Sequence, residues 1–324
     1  MPSRIKRFLA RYLPMSSRTA HEKFNELTAL LYSQNAEMLA KDSELVERLT
    51  KALEDHKQVL LVEQQTILKE QKIILENQKK QREQSNKIQG SVEVSNKRAQ
   101  SALENANEAV WAHIFNNTID GSSWLQNRSF SPGRWGVGYQ YLYVLYRILN
   151  EVKPRSILEL GLGQSTRMIA QYAQNHTEAI HYVVEHDPEW IDFFARSFFV
   201  REQTKVVNLP LEMEAFMDDS VPVFSGFAET FAGQCFDLIS IDAPFGKMSE
   251  VYSRIDILKL LPGCLADSFI ILMDDYNRPN EKRTIELIKR SLDEEGIAYE
   301  MGNYYGQKTT CVITSEDLKF VCSM

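Results

Sequence analysis

Residues that could do chemistry cluster in four short stretches of this 324-residue chain. The first is Ser156-Ile-Leu-Glu-Leu-Gly-Leu-Gly-Gln-Ser-Thr166. Its apolar run, Ile157-Leu-Glu-Leu160, reads as a buried strand that breaks into a glycine turn, Gly161-Leu-Gly163, and then into a helix-like segment from Thr166 to Ala173. Glycines let the backbone approach a ligand closely, and the free N–H groups at a helix start face it, so strand, turn and helix form a cradle for a nucleotide or nucleotide-like cofactor. Glu159 adds an acid just before the turn. The second stretch, His181-Tyr-Val-Val-Glu185, is an apolar run ending in an acid and followed by His186-Asp-Pro188. An acid ending the second strand of a doubly wound sheet can hydrogen-bond the hydroxyls of a bound ribose, which is the role expected of Glu185. The third and fourth stretches, Phe236–Asp242 and Ser268–Asp274 with Asp275, are further apolar runs with acids at their ends.

These residues need a scaffold that brings strand ends together. From Ser156 onward apolar runs alternate with helix-like segments: Val206–Asn208 is a weak third strand, Phe236–Asp242 a fourth and Ser268–Asp274 a fifth. Helices are expected at Val251–Leu261 and Glu281–Leu292, while Ala298–Glu300 and Thr309–Thr314 could finish the sheet. Such alternation predicts an α/β fold, a doubly wound, mostly parallel Rossmann-like sheet with helices on both faces. Ligands collect at the carboxyl ends of such strands, so Glu185, Asp242, Asp274 and Asp275 should share one rim.

The dinucleotide fingerprint G-x-G-x-x-G would need glycine at position 166, which is Thr166. The run E-x-G-x-G-x-S instead resembles the first motif of class I S-adenosylmethionine-dependent methyltransferases, with Ser165 where that family usually has glycine. Val184-Glu-His-Asp-Pro-Glu189 is similar to the corresponding segment of the catechol O-methyltransferase group. That resemblance implies S-adenosyl-L-methionine as cofactor, with Glu159, Gly161, Gly163, Ser165, Glu185 and His186 around it. It also implies a magnesium ion held by Asp242, Asp274 and Asp275, which would orient an acceptor hydroxyl and lower its pKa. The family's lysine base follows the fourth-strand acid. Lys247 is the nearest lysine here, two residues beyond the family spacing, with Asp242 as the other catalytic candidate. A second resemblance bears on the acceptor: Ser240-Ile-Asp-Ala-Pro-Phe-Gly246, with Met273-Asp-Asp-Tyr-Asn-Arg278, is similar to the glucuronoxylan 4-O-methyltransferase group. It implies a hydroxyl of a sugar or cell-envelope glycan as acceptor. Blander readings compete at each position: a tight turn with no ligand at Gly161–Gly163, a helix cap at Asp242, an Asx-rich turn at Asp274-Asp-Tyr-Asn.

Composition narrows the classes. Residues 1–20 carry five basic side chains and no acid, residues 21–110 are close to balanced, and the excess acid of a chain with net charge −7 falls in 111–324. An acidic catalytic part argues against nucleic acid as substrate, because phosphate contacts need Lys and Arg. The four cysteines form no C-x-x-C pair, which points to reduced thiols in the cytoplasm. No apolar run approaches the length of a membrane span. Ile5, Phe8, Leu9 and Tyr12 fall at helical spacing among Arg4, Lys6, Arg7 and Arg11, so residues 1–13 could lie peripherally on the inner face of the membrane. A frayed or internally packed terminus is the competing reading.

Between Met15 and Ser131 there is no proline, and a seven-residue repeat runs through Leu60-Leu-Val-Glu-Gln64, Ile67-Leu-Lys-Glu-Gln71 and Ile74-Leu-Glu-Asn-Gln78. A like ladder precedes it at Phe24, Leu31, Met38 and Leu45. Sustained seven-residue spacing predicts a coiled coil and hence a homo-oligomer, although glutamine leaves half of the seam polar; a lone amphipathic helix packed on the catalytic domain is the competing reading. The expected organisation is a basic segment over 1–20, a long helix over 21–110, a helical lead-in covering the site over 111–155, and a methyltransferase domain over 156–324. The function expected is O-methyl transfer. Two alternatives stand beside it: a coiled-coil scaffold or chain-length regulator that binds cofactor without turnover, and an NAD-linked oxidoreductase, which Thr166 disfavours.

Overall fold

A computed structural model of the chain describes residue 29, residues 43–133 and residues 136–324. The basic segment at residues 1–13, the early ladder at Phe24, Leu31 and Met38, and Trp135 lie outside the described residues. Two compact units divide at Val92/Glu93. Helix α1, Ser43–Ile119, runs past this division, and its part in the first unit carries the seven-residue repeat with Leu61, Leu68, Leu75, Ile74 and Ile88 exposed.

The second unit is built on a seven-stranded sheet. Its strands are β1 (Ser156–Leu160), β2 (Ile180–Glu185), β3 (Thr204–Asn208), β6 (Phe236–Ile241), β7 (Leu265–Met273), β8 (Tyr299–Tyr305) and β9 (Thr309–Ser315), in the order β3-β2-β1-β6-β7-β9-β8. Neighbours are parallel except that β9 runs antiparallel to both β7 and β8. This is the doubly wound, mostly parallel Rossmann-like sheet that the alternation of runs predicts. The central strands β1, β6 and β7 are apolar on both faces because helices cover both. One face packs Ile157, Leu238, Ile270, Leu272 and Val312 against α2 (Tyr139–Arg147), α3 (Gln164–Asn175) and the end of α1. The other face packs Leu158, Leu160, Ile239, Ile241, Ile271 and Met273 against α6 (Pro279–Glu294) and the aromatics of α5 (Phe227–Phe231). Helix α4, Pro188–Ser197, opens on Asp187, whose side chain accepts from the N–H groups of Glu189 and Trp190, with proline at the first helical position.

Three features depart from the sequence reading. Helix α1 continues past residue 110 to Ile119, and its last turns belong to the core: Phe115 and Ile119 are buried, and Trp111 Nε1 donates to Tyr305 O at 2.7 Å. An antiparallel hairpin, β4 (Leu211–Phe216) and β5 (Asp219–Phe224), follows β3. It turns at Met217 with φ 53, without the glycine or asparagine that signals such turns. The helix expected over Val251–Leu261 is absent, and only a 3-10 turn, Asp256–Lys259, forms there. The Asp219 carboxylate accepts the backbone N–H groups of Val251 and Tyr252, and Arg254 takes φ 54, so the segment is held as a loop threaded toward the strand ends.

Candidate active site

The sheet order reverses between β1 and β6, the switch point at whose carboxyl strand ends the ligand crevice of a doubly wound sheet lies. Gly161 and Gly163 line it from β1. Gly161 has φ +105, and a Cβ on it would meet Ala243 Cβ at 3.0 Å, so the turn packs against the loop after β6 in a way only glycine allows. Gly163 has nothing within 4 Å of a Cβ position, leaving open space beside it. Its N–H donates to Thr166 Oγ1 at 2.9 Å, closing the first turn of α3, where Ser165 is buried.

Glu185 ties this turn to the end of β2. Its carboxylate accepts Leu162 N–H at 3.2 Å, His186 N–H at 2.7 Å and Asp187 N–H at 3.0 Å, and His186 Nδ1 stands 2.8 Å away. Trp190 braces the same turn by donating Nε1 to Leu162 O at 2.7 Å. Sequence reasoning passed over Trp190, although a tryptophan in the first turn of the helix after the strand-end acid was visible. Glu159 sits elsewhere: it is buried inside the sheet, 3.0 Å from His181 Nε2, while His181 Nδ1 lies 3.2 Å from Thr204 Oγ1. The three side chains bridge β1, β2 and β3 within the sheet, and Glu159 is thereby a partner of His181 before it is anything to a ligand.

Across the crevice, Asp242, Asp274 and Asp275 do come together, with one oxygen from each within 4.8 Å of the others. Protein cations share the cluster. Arg254 Nη2 lies 3.1 Å from Asp242 Oδ1 and 2.9 Å from Asp275 Oδ2, and its Nη1 donates to Asp274 O at 2.8 Å. Lys308 Nζ donates to Asp274 Oδ2 at 2.8 Å and lies 3.4 Å from Asp275 Oδ1, while Arg278 lies 2.9 Å from Asp275 Oδ1. Burial pushes the Asp242 carboxyl up to about 7, with Asp274 adding to the effect. Asp275 is desolvated too, yet Arg254, Lys308 and Arg278 hold it below the ordinary carboxylate value. Burial alone would lower the Lys308 pKa, but Asp274, Asp242 and Asp275 keep it above the usual lysine value, so it is a fixed cation and no base.

Tyr141 is fully buried, with its hydroxyl 2.6 Å from Ser240 Oγ on β6. Lys247 belongs to the 3-10 turn Gly246–Met248, but its side chain lies outside the described residues. Arg254 and Lys308, two of the cluster's three cations, carried no signal in the sequence. One was read as part of a helix, and the other sits in a hairpin loop 34 residues beyond Asp274.

No family model and no curated protein matches this chain. Several solved structures do. A Klebsiella pneumoniae protein provisionally described as an O-methyltransferase matches at TM-score 0.42 and 12% identity, over 66% of this chain and 99% of that one. A Podospora anserina methyltransferase bound to SAH matches at TM-score 0.36 and 16% identity, over 65% and 97%. A Bacillus cereus O-methyltransferase in complex with SAH matches at TM-score 0.35 and 14% identity, over 65% and 91%.

Proposed function

We propose that this chain is an S-adenosylmethionine-dependent O-methyltransferase acting on a hydroxyl of a sugar or cell-envelope glycan. The observation that carries the reading is the joining of Gly161-Leu-Gly163 to Glu185 at the switch point of the sheet. An acid at the end of β2 and an open space over Gly163 are where a ribose and a methionine moiety would lie. The bound donor supplies an already activated methyl group. The protein then has to align an acceptor oxygen and manage its proton. Asp242, partly exposed at the end of β6 with its carboxyl held near neutrality, is suited to take that proton. The glycan acceptor rests on the motif likeness of Ser240–Gly246 and Met273–Arg278.

The test is calorimetric binding of S-adenosylmethionine, S-adenosylhomocysteine and NAD, then transfer of labelled methyl to a cell-envelope glycan extract. Binding of the first two with transfer is the expected result. Binding without transfer to any glycan favours the scaffold reading, and binding of NAD alone refutes the proposal.

A magnesium ion, implied by the motif likeness, has suitable hard donors in the three carboxylates, and Asp274 Oδ1 is buried without a hydrogen-bond partner. The rest of the cluster does not fit. Four of the six carboxylate oxygens already face Arg254, Lys308 or Arg278, and the Arg254 guanidinium is itself buried in the cluster. A dication there would stand against a permanent cation at close range, so no step is assigned to one.

A further inference from the structure

We infer that Lys308 and Arg254 take the electrostatic place of a divalent cation in the acid cluster, and that Lys308 presents its remaining N–H to the acceptor oxygen. The second half rests on the methyltransferase reading above; the first half stands without it.

The argument begins with charge. Asp242, Asp274, Asp275 and Glu281 are four acids gathered at the ends of β6 and β7 and the start of α6, and Arg254, Lys308 and Arg278 are the cations facing them. Arg254 holds the arrangement from inside. Its side chain is only 3% exposed, and its planar fork reaches the strand-end acid of β6, the backbone of Asp274 and the side chain of Asp275 at once. That is the geometry a guanidinium is built for, and such a group cannot shed its proton to make room for a metal.

Lys308 is different in kind. Its ammonium carries three N–H donors: Asp274 accepts one at 2.8 Å, and Asp275 Oδ1 faces the same nitrogen as an ion pair at 3.4 Å. The side chain is 12% exposed, and an N–H that the carboxylates leave unused is the donor assigned to an oxygen approaching this rim. A hydroxyl oxygen placed there meets a fixed positive charge close to Asp242. This serves the purpose of a metal: the developing alkoxide is stabilised by a cation that needs no loading. Lys308 is held in place by backbone contacts on both sides. Gln140 Nε2 donates to Lys308 O at 3.1 Å, and the preceding residue, Gln307, donates its N–H to Glu108 Oε2 at 3.1 Å.

The experiment reads metal binding directly, with Mn²⁺ as the probe and electron paramagnetic resonance as the readout, on the full chain without cofactor or acceptor. The wild type should leave Mn²⁺ free at micromolar to millimolar concentration. Lys308→Ala, which strips one cation from Asp274 and Asp275, should gain Mn²⁺ affinity at least tenfold, and Lys308→Arg should stay silent. Circular dichroism confirms that each variant is folded. Wild-type binding that Asp274→Asn abolishes would overturn the inference, as would a folded Lys308→Ala that gains nothing. The acceptor half is tested by methyl transfer in excess chelator: wild-type rate should be unchanged, and Lys308→Arg should retain more of it than Lys308→Ala. None of the Mn²⁺ outcomes depends on turnover, so failure of the methyltransferase reading leaves them interpretable.

Discussion

Glu108, near the end of the long helix, accepts the backbone N–H of Gln307 at 3.1 Å across 199 residues of sequence. Its second oxygen accepts Tyr139 N–H at 2.7 Å. One carboxylate thus fastens α1 both to the hairpin that carries Lys308 and to the start of α2, which carries Tyr141. Glu108→Ala leaves two backbone donors short of an acceptor and should cost about 1–3 kcal/mol of stability, measured by urea unfolding. An unchanged midpoint would show that water replaces the carboxylate without loss.

Removing residues 1–92 should leave a folded cofactor-binding unit, whereas removing 1–112 deletes Glu108 and Trp111 and should yield aggregated protein. The unit boundary at Val92/Glu93 is the reason for the first expectation. Thermal melting followed by circular dichroism separates the outcomes, and a cooperative melt in the shorter chain would show that the last turns of α1 are dispensable.

The exposed ladder of α1, including Leu61, Leu68 and Leu75, is proposed to be covered by a second copy of itself. Light scattering should therefore give an oligomer for the full chain and a monomer after deletion of 1–92. A full chain that is monomeric at micromolar concentration would rule this out, and the ladder would then need a different partner.

The two glycines make a paired prediction. Gly161→Ala forces a side chain into φ +105 and against Ala243, so it should destabilise the fold by more than about 1 kcal/mol. Gly163→Ala meets nothing within 4 Å and should leave stability nearly unchanged while weakening S-adenosylhomocysteine binding, because the new methyl intrudes on the open side of the turn. Calorimetry and denaturation on the same two variants give both readouts. Equal stability loss in both would contradict the assignment of Gly163 to the ligand.

Glu185→Gln should weaken S-adenosylhomocysteine binding by about 1.5–3 kcal/mol, the range for hydrogen bonds to a charged group. Part of the loss would come from a loosened turn, since Leu162 N–H leans on the same carboxylate. Unchanged affinity in a folded variant would remove Glu185 from the cofactor site.

Asp256 provides the pH test. Burial pushes its carboxyl up to about 7, against the hydrogen bond it accepts from Phe224 N–H at 2.7 Å. A raised acid means the folded chain holds the proton more tightly than the unfolded one. Its contribution is therefore most favourable below about pH 4, is lost as pH rises toward 7, and is constant above. Asp256→Asn keeps an acceptor for Phe224 without the charge. The stability gained over wild type should grow between pH 4 and 7 to on the order of 2–4 kcal/mol. A difference that does not change between pH 5 and pH 8 would mean that the group ionises freely in the fold.

Sequence by itself determined the frame. The runs at Ile157–Leu160, Phe236–Ile241 and Phe269–Met273 are apolar at every buried position but Glu159 and Ser240 because central parallel strands are covered on both faces, and that signal is local. The glycine turn and the strand-end acids were legible for the same reason: each is defined by a few consecutive residues, and the sheet topology then brings their ends to one rim. The tertiary structure decided what those acids face. Glu159 looked like a ligand-facing residue until β2 set His181 beside it. Arg254 looked like one position in a helix over Val251–Leu261 until Asp219 captured the loop's N–H groups and sent the guanidinium among the acids. Lys308 reaches Asp274 because β9 pairs antiparallel to β7, placing the β8–β9 hairpin over the rim. Charge neutralisation in a buried cluster is a sum over groups from distant parts of the chain, and nothing in the neighbourhood of any one of them records that sum.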